Sequence, residues 1–229
     1  RRVLFRSVGS GNLAAGGDIT LSAGESTTST GGGIWITAGE GSATSSGAIA
    51  IRTSDAGTSG VSGVLSFNSG TTSSGSSGAV LISTGAATTG KGGDISLSVG
   101  SGNLAAGGDI TLSAGESTTS TGGGIWITSG YGSSTSSGAI YMKTSDAGTA
   151  GVSGEIFLSS GTATTGSTGS ISVVSGKATQ GKGGDISIIV GTGDSAAGGD
   201  ITMTSGSTSD DTGGGICVCL GGVRSGKHW

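Results

Sequence analysis

Aliphatic residues recur along this chain in pairs, two positions apart, at a nearly constant interval. The first member of each pair falls at Ile19, Ile34, Ile49, Leu65, Val80, Ile95, Ile110, Ile125, Ile140, Ile156, Ile171, Ile186, Ile201 and Ile216. The second falls at Leu21, Ile36, Ile51, Phe67, Ile82, Leu97, Leu112, Ile127, Met142, Leu158, Val173, Ile188, Met203 and Val218. The interval is 15 residues throughout, except for 16 from Ile49 to Leu65 and from Ile140 to Ile156. Fourteen units keep both columns with no polar exception. Six units make 91 residues, the offset between Ile19, Ile110 and Ile201, and residues 7–37 return letter for letter at 98–128.

Side chains two apart share one face of a strand. A five-residue apolar segment every 15 residues, with glycine at both ends, leaves no room for an intervening helix. The segment between, such as 25–30, is rich in serine and threonine and carries no helical apolar stripe. The pattern therefore predicts an all-β fold, a parallel β-solenoid of about fourteen 15-residue rungs stacked in register. Glycines such as Gly24 and Gly32 divide each rung into two halves, which predicts a flattened two-sheet coil, with a three-sided coil as the alternative. The added residue near Ser54–Asp55 and Ser145–Asp146 reads as a bulge placed once per 91 residues.

Composition changes this picture in three ways. Fifty-three glycines and no proline in 229 residues would suit a linker, but the period assigns the glycines to corners. A charged fraction of 10% and a net charge of −4 offer no electrostatic footprint for nucleic acid. No apolar run approaches the roughly 18 residues of a membrane helix, so membrane insertion is not expected. Residues 1–7, RRVLFRS, fall outside the repeat and read as the translation of a sequencing adapter, a non-native leader. The expected organisation is one solenoid domain over 8–221, an irregular tail over 222–229, and a chain that is a piece of a longer repetitive protein.

Candidate chemistry is sparse. Asp94 with Asp109, and Asp185 with Asp200, fall in the Gly-Gly-Asp-Ile position of successive units, as does Asp18. Stacked carboxylates repel unless paired or bridged, and calcium would suit them, but calcium wants six to eight oxygens. The nonapeptide of calcium-binding solenoids is absent. Solvated turn aspartates beside Lys91 and Lys182 are the preferred reading, so no metal or other cofactor is expected. Cys217 and Cys219 are two apart on one strand face, poorly placed to bond to each other, and the only histidine for a shared metal is His228. They read as small residues filling strand positions. The tail spacing Gly221, Gly226, Lys227 fails as a phosphate loop because His228 stands where a hydroxyl is required. No histidine lies inside the repeat to activate its serines, so no enzyme is expected.

The position between the two columns points outward and carries Trp35, then Trp126, Tyr141 and Phe157 in three consecutive units, with Val174 and Ile189 two positions along on the same face. Such a strip either stacks across rungs or packs against another copy or a polymer. The hydroxyls at 27–30, 88–89, 118–121 and 164–165 would form ladders on the opposite sheet. That geometry resembles ice-binding β-solenoids, but their strict Thr-x-Thr column is missing. The hydroxyls could also carry O-glycans, and no N-glycosylation sequon occurs at Asn12, Asn68 or Asn103.

With its GGDI and SDAGT-G-VSG blocks, the span 8–215 resembles repetitive Gly/Ser/Thr-rich secreted proteins predicted in diatoms and related algae. The resemblance implies an extracellular or cell-surface place in a wall or matrix. The expected function is a non-catalytic fibre, wall or matrix element that associates with itself through solenoid ends and the aromatic strip. The alternative is a binding module for ice, polysaccharide or a mineral surface. A spacer for an enzyme domain elsewhere in a longer protein is a third class.

Overall fold

The repeat is realised in the backbone as a series of chain bends, not as strands. The computed structural model describes residues 8–10, 15–194 and 197–219. Bends fall at 27–29, 42–44, 58–60, 73–75, 88–90, 103–105, 118–120, 133–135, 149–151, 164–166, 179–181 and 209–211. They follow one another at the 15-residue interval of the sequence, with 16 from 42–44 to 58–60 and from 133–135 to 149–151, and 30, two units, from 179–181 to 209–211. Among the described residues there is no helix and no strand. The predicted all-β parallel solenoid, in either its two-sheet or three-sided form, is therefore incorrect. The hydroxyl ladders and the β-bulges at Ser54–Asp55 and Ser145–Asp146 fall with it.

The hydrogen bonding explains the difference. A 15-residue coil needs bonds between positions one repeat apart, and among the described residues none joins such positions. In six of the units the chain closes on itself instead. The Gly32 N–H donates to the Gly24 carbonyl at 2.9 Å, and the same bond joins Gly47 to Gly39, Gly123 to Gly115, Gly138 to Gly130 and Gly214 to Gly206 at 2.9 Å, and Gly17 to Gly9 at 3.3 Å. Each bond ties off a short loop whose ends meet while its middle faces water.

Glycine is required where the ends meet. A Cβ on Gly32 would lie 3.2 Å from the Gly24 nitrogen and 3.3 Å from the Ala23 Cβ, and one on Gly123 would sit as tightly against Gly115 and Ala114. The same approach recurs with a larger partner once per 91 residues. A Cβ on Gly108 or Gly199 would come within 2.7 or 2.9 Å of a methyl of Val99 or Val190, and one on Gly17 would fall on Val8. These three valines are the least exposed large hydrophobic residues described, at 47%, 39% and 42%. In the 16-residue units the partners are Thr53 against Gly63 and Thr144 against Gly154, ten positions apart where the others are nine, so the added residue lies inside the loop.

Two devices turn the bends. The Ser26 Oγ accepts the Ser29 N–H at 3.0 Å, and Ser117 accepts from Ser120 in the same way. At three other bends the third position is a glycine with positive φ, at Gly60 (123°), Gly75 (101°) and Gly166 (118°). The bend at 73–75 uses both, since the Thr72 hydroxyl accepts the Ser74 N–H at 3.3 Å and lies 2.9 Å from the Ser74 carbonyl. These short side-chain-to-backbone bonds compete with ladder formation.

No described residue is buried, and the apolar pairs gather into no core. The alternation of the sequence persists only as a gradient of exposure: Ile140 is 52% exposed, Met142 69%, and Tyr141 between them 92%. Two aliphatics are worth about 4 kcal/mol when fully buried. Ordering fifteen glycine-rich residues costs about 1–2 kcal/mol each in backbone entropy. An isolated repeat cannot meet that cost by apolar burial. The chain exposes 23128 Å². A folded monomer of its 21.3 kDa would expose about 9,000 Å², and its fully unfolded chain about 31,000 Å².

The chain divides into two units, Arg1–Leu112 and Ser113–Trp229. Each is built from the loop just described.

Replacing Gly75 by Ala should break its bend, because the positive φ costs a side chain on the order of 1 kcal/mol or more. Amide resonances across 72–76 should shift. The same change at Gly90 or Gly181, where φ is not positive and a Cβ meets nothing within 4 Å, should leave the bend in place. Equal responses at all three would show that φ does not govern the bend.

Candidate functional site

The aspartates stand just before the apolar pairs, on backbone that is not part of a ladder. Asp94 takes an ion pair from Lys91 at 2.8 Å, and Asp185 from Lys182 at 2.7 Å. A third pair, Lys143 to Asp146 at 3.3 Å, has the same spacing of three. All six side chains are at least three-quarters exposed, so solvent screens the pairs and they add little stability. Asp18, Asp109 and Asp200 lie at the matching Gly-Gly-Asp-Ile positions and make no ion pair among the described residues. Among the described residues, no three of the side chains suited to metals converge, so the structure does not bring Asp94 and Asp109, or Asp185 and Asp200, into a calcium cage. The depression at 52–55 is lined only by the consecutive residues Arg52, Thr53, Ser54 and Asp55.

The outward positions are where the sequence places the apolar strip, but the rings do not stack. Trp126 and Tyr141 are each 92% exposed, and a ring sandwiched between neighbours would lose about half its surface. Trp35, Phe157, Val174 and Ile189 are also largely exposed. The one recurring contact is local. The indole of Trp35 turns back over Gly33, and that of Trp126 over Gly124, where a Cβ would meet Nε1 at 3.1 Å. The glycine two residues earlier makes room for the ring, as the GGGIWI string allows.

The cysteines are the pair that sequence reasoning set aside. The Sγ atoms of Cys217 and Cys219 lie 2.7 Å apart, and both residues are free and exposed. A hydrogen bond with Cys217, with a smaller loss of hydration, holds the Cys219 thiol above its usual pKa. A neutral Cys219 thiol donating to the Cys217 sulfur accounts for that direction. The signal was the Cys-x-Cys spacing itself, which turns both side chains to one side of an extended segment. Alternate residues of a regular strand hold their Cα atoms too far apart for a disulfide, but Cys217 and Cys219 are not in a regular strand. His228 and the tail spacing from Gly221 to Lys227 lie outside the described residues, as do residues 1–7.

No helix of the described residues is long and apolar enough to cross a membrane. No protein-family model, curated protein or solved structure matches the chain.

Calcium at millimolar concentration should shift the amide resonances of Asp94, Asp109, Asp185 and Asp200 no more than sodium chloride of equal ionic strength. A saturable shift shared by Asp94 and Asp109 would establish a calcium site there.

Proposed function

We propose that this chain is a non-catalytic structural element of an extracellular fibre, wall or surface matrix, and that it works in association with copies of itself. The observation that carries this reading is the exposure of every large aliphatic and aromatic side chain described, with the aliphatic pairs recurring in register from repeat to repeat. Single exposed hydrophobics are ordinary on a protein surface, but a periodic series with no core behind it is not. Such residues leave water only by meeting a surface with the same periodicity, and a second copy carries one. The low charge and the Ser/Thr-rich loops suit close packing of many chains without strong repulsion.

The association runs through exposed apolar side chains, since there are no solenoid ends to pair. The competing reading, a binding module for ice, polysaccharide or mineral through a flat hydroxyl or aromatic face, keeps the exposed rings but has no hydroxyl ladder to use, because no sheet is present among the described residues.

Sedimentation of the wild-type chain over a wide concentration range should show reversible association, and concentrated samples should form fibres or bundles under the microscope. Trp126→Ser with Tyr141→Ser removes two rings of up to about 200 Å² each and should raise the concentration needed roughly tenfold or more. A monomer that persists at all concentrations, with its tryptophans fully accessible to a quencher, would overturn the reading.

A further inference from the structure

We infer that Cys217 and Cys219 form a redox-active dithiol that closes into a Cys-Val-Cys disulfide by exchange with a low-molecular-weight disulfide. Three observations converge on it. The sulfurs are 2.7 Å apart, both residues are free, and both are exposed to a small reagent. Disulfide bonding brings sulfurs to about 2.05 Å. Chelation of one tetrahedral zinc at about 2.3 Å per thiolate would instead hold them roughly 3.8 Å apart. The observed separation is nearer to bonding than to chelation, and no third metal-binding side chain lies with them among the described residues. Val218 leaves the ring only one residue between its cysteines, so the closed form is small and strained, and exposed strained disulfides are the readily reduced ones.

The exchange balances as follows. The Cys217 thiolate attacks one sulfur of oxidised glutathione, forming a mixed disulfide and releasing one glutathione thiolate. Cys219 gives its proton to solvent, and its thiolate attacks the Cys217 sulfur and expels the second glutathione. Two electrons pass from the protein to the small disulfide, and the two protons end on two glutathione thiols.

The test uses the full chain with oxidised glutathione, read by intact mass and by non-reducing denaturing electrophoresis. The wild type should lose two hydrogens and both titratable thiols while remaining a single chain, and excess reduced glutathione should restore both. Cys219→Ser should stop at one glutathione adduct on Cys217, which shows that the partner thiol performs the release. Closure should be at least tenfold faster than in the same chain held in guanidinium, because the sulfurs start in contact. Stable glutathione adducts on both cysteines of the wild type, chains linked through disulfides, or equal rates with and without denaturant would each overturn the proposal.

Discussion

The loops of this molecule close where two stretches of backbone meet at a glycine, in several units more closely than a side chain permits. At the foot of each loop a glycine faces the residue nine or ten positions earlier, and the missing Cβ leaves room for a carbonyl, a methyl or a hydroxyl to occupy that space. Where that residue is Ala23, the carbonyl of the next residue, Gly24, seals the approach by accepting the Gly32 N–H. Where it is Val99 or Val190 the partner's methyl fills the gap, and where it is Thr84 the hydroxyl donates to the Gly93 carbonyl at 3.1 Å. The bends, the exposure gradient and the placement of the Lys–Asp pairs all follow from loops closed at this point.

The period was fully legible in the sequence, but the bends were not: 27–29, 88–90, 118–120 and 164–166 fall on the hydroxyl segments expected to form ladders, while the expected corners Gly24 and Gly32 meet at the foot of a loop. Nor was the hydrogen-bonding partner. Alternating aliphatics such as Ile125 and Ile127 indicate which residues share a face, but not whether another segment lies alongside to make a ladder. A solenoid and a string of closed loops share the same alternation, and the local option requires a chain closure of only nine residues where the other requires fifteen. The Lys-x-x-Asp pairing could be read from spacing at Lys91 and Lys182. The meeting of Cys217 with Cys219 could not, because it depends on the backbone departing from a regular strand.

The described apolar residues recur without a core, and that exposure is what supports the proposed structural role shared among copies. The sequence contributes what such a material needs: a short unit, identical blocks over 7–37 and 98–128, and few charges. The cysteines near the end of the described residues stand apart from that logic, since their chemistry concerns one chain and a small reagent.

Loops that close independently also act as stored length. Eight residues pulled straight span about 27 Å, whereas chain segments joined by one backbone hydrogen bond lie about 5 Å apart. Opening a loop such as 24–32 therefore releases roughly 20 Å of chain against the loss of a single bond between Gly32 and Gly24. Because no core couples one loop to the next, the loops yield one after another at similar small forces. A fibre made of such chains lengthens gradually under load and recovers as each pair of glycines finds its partner again.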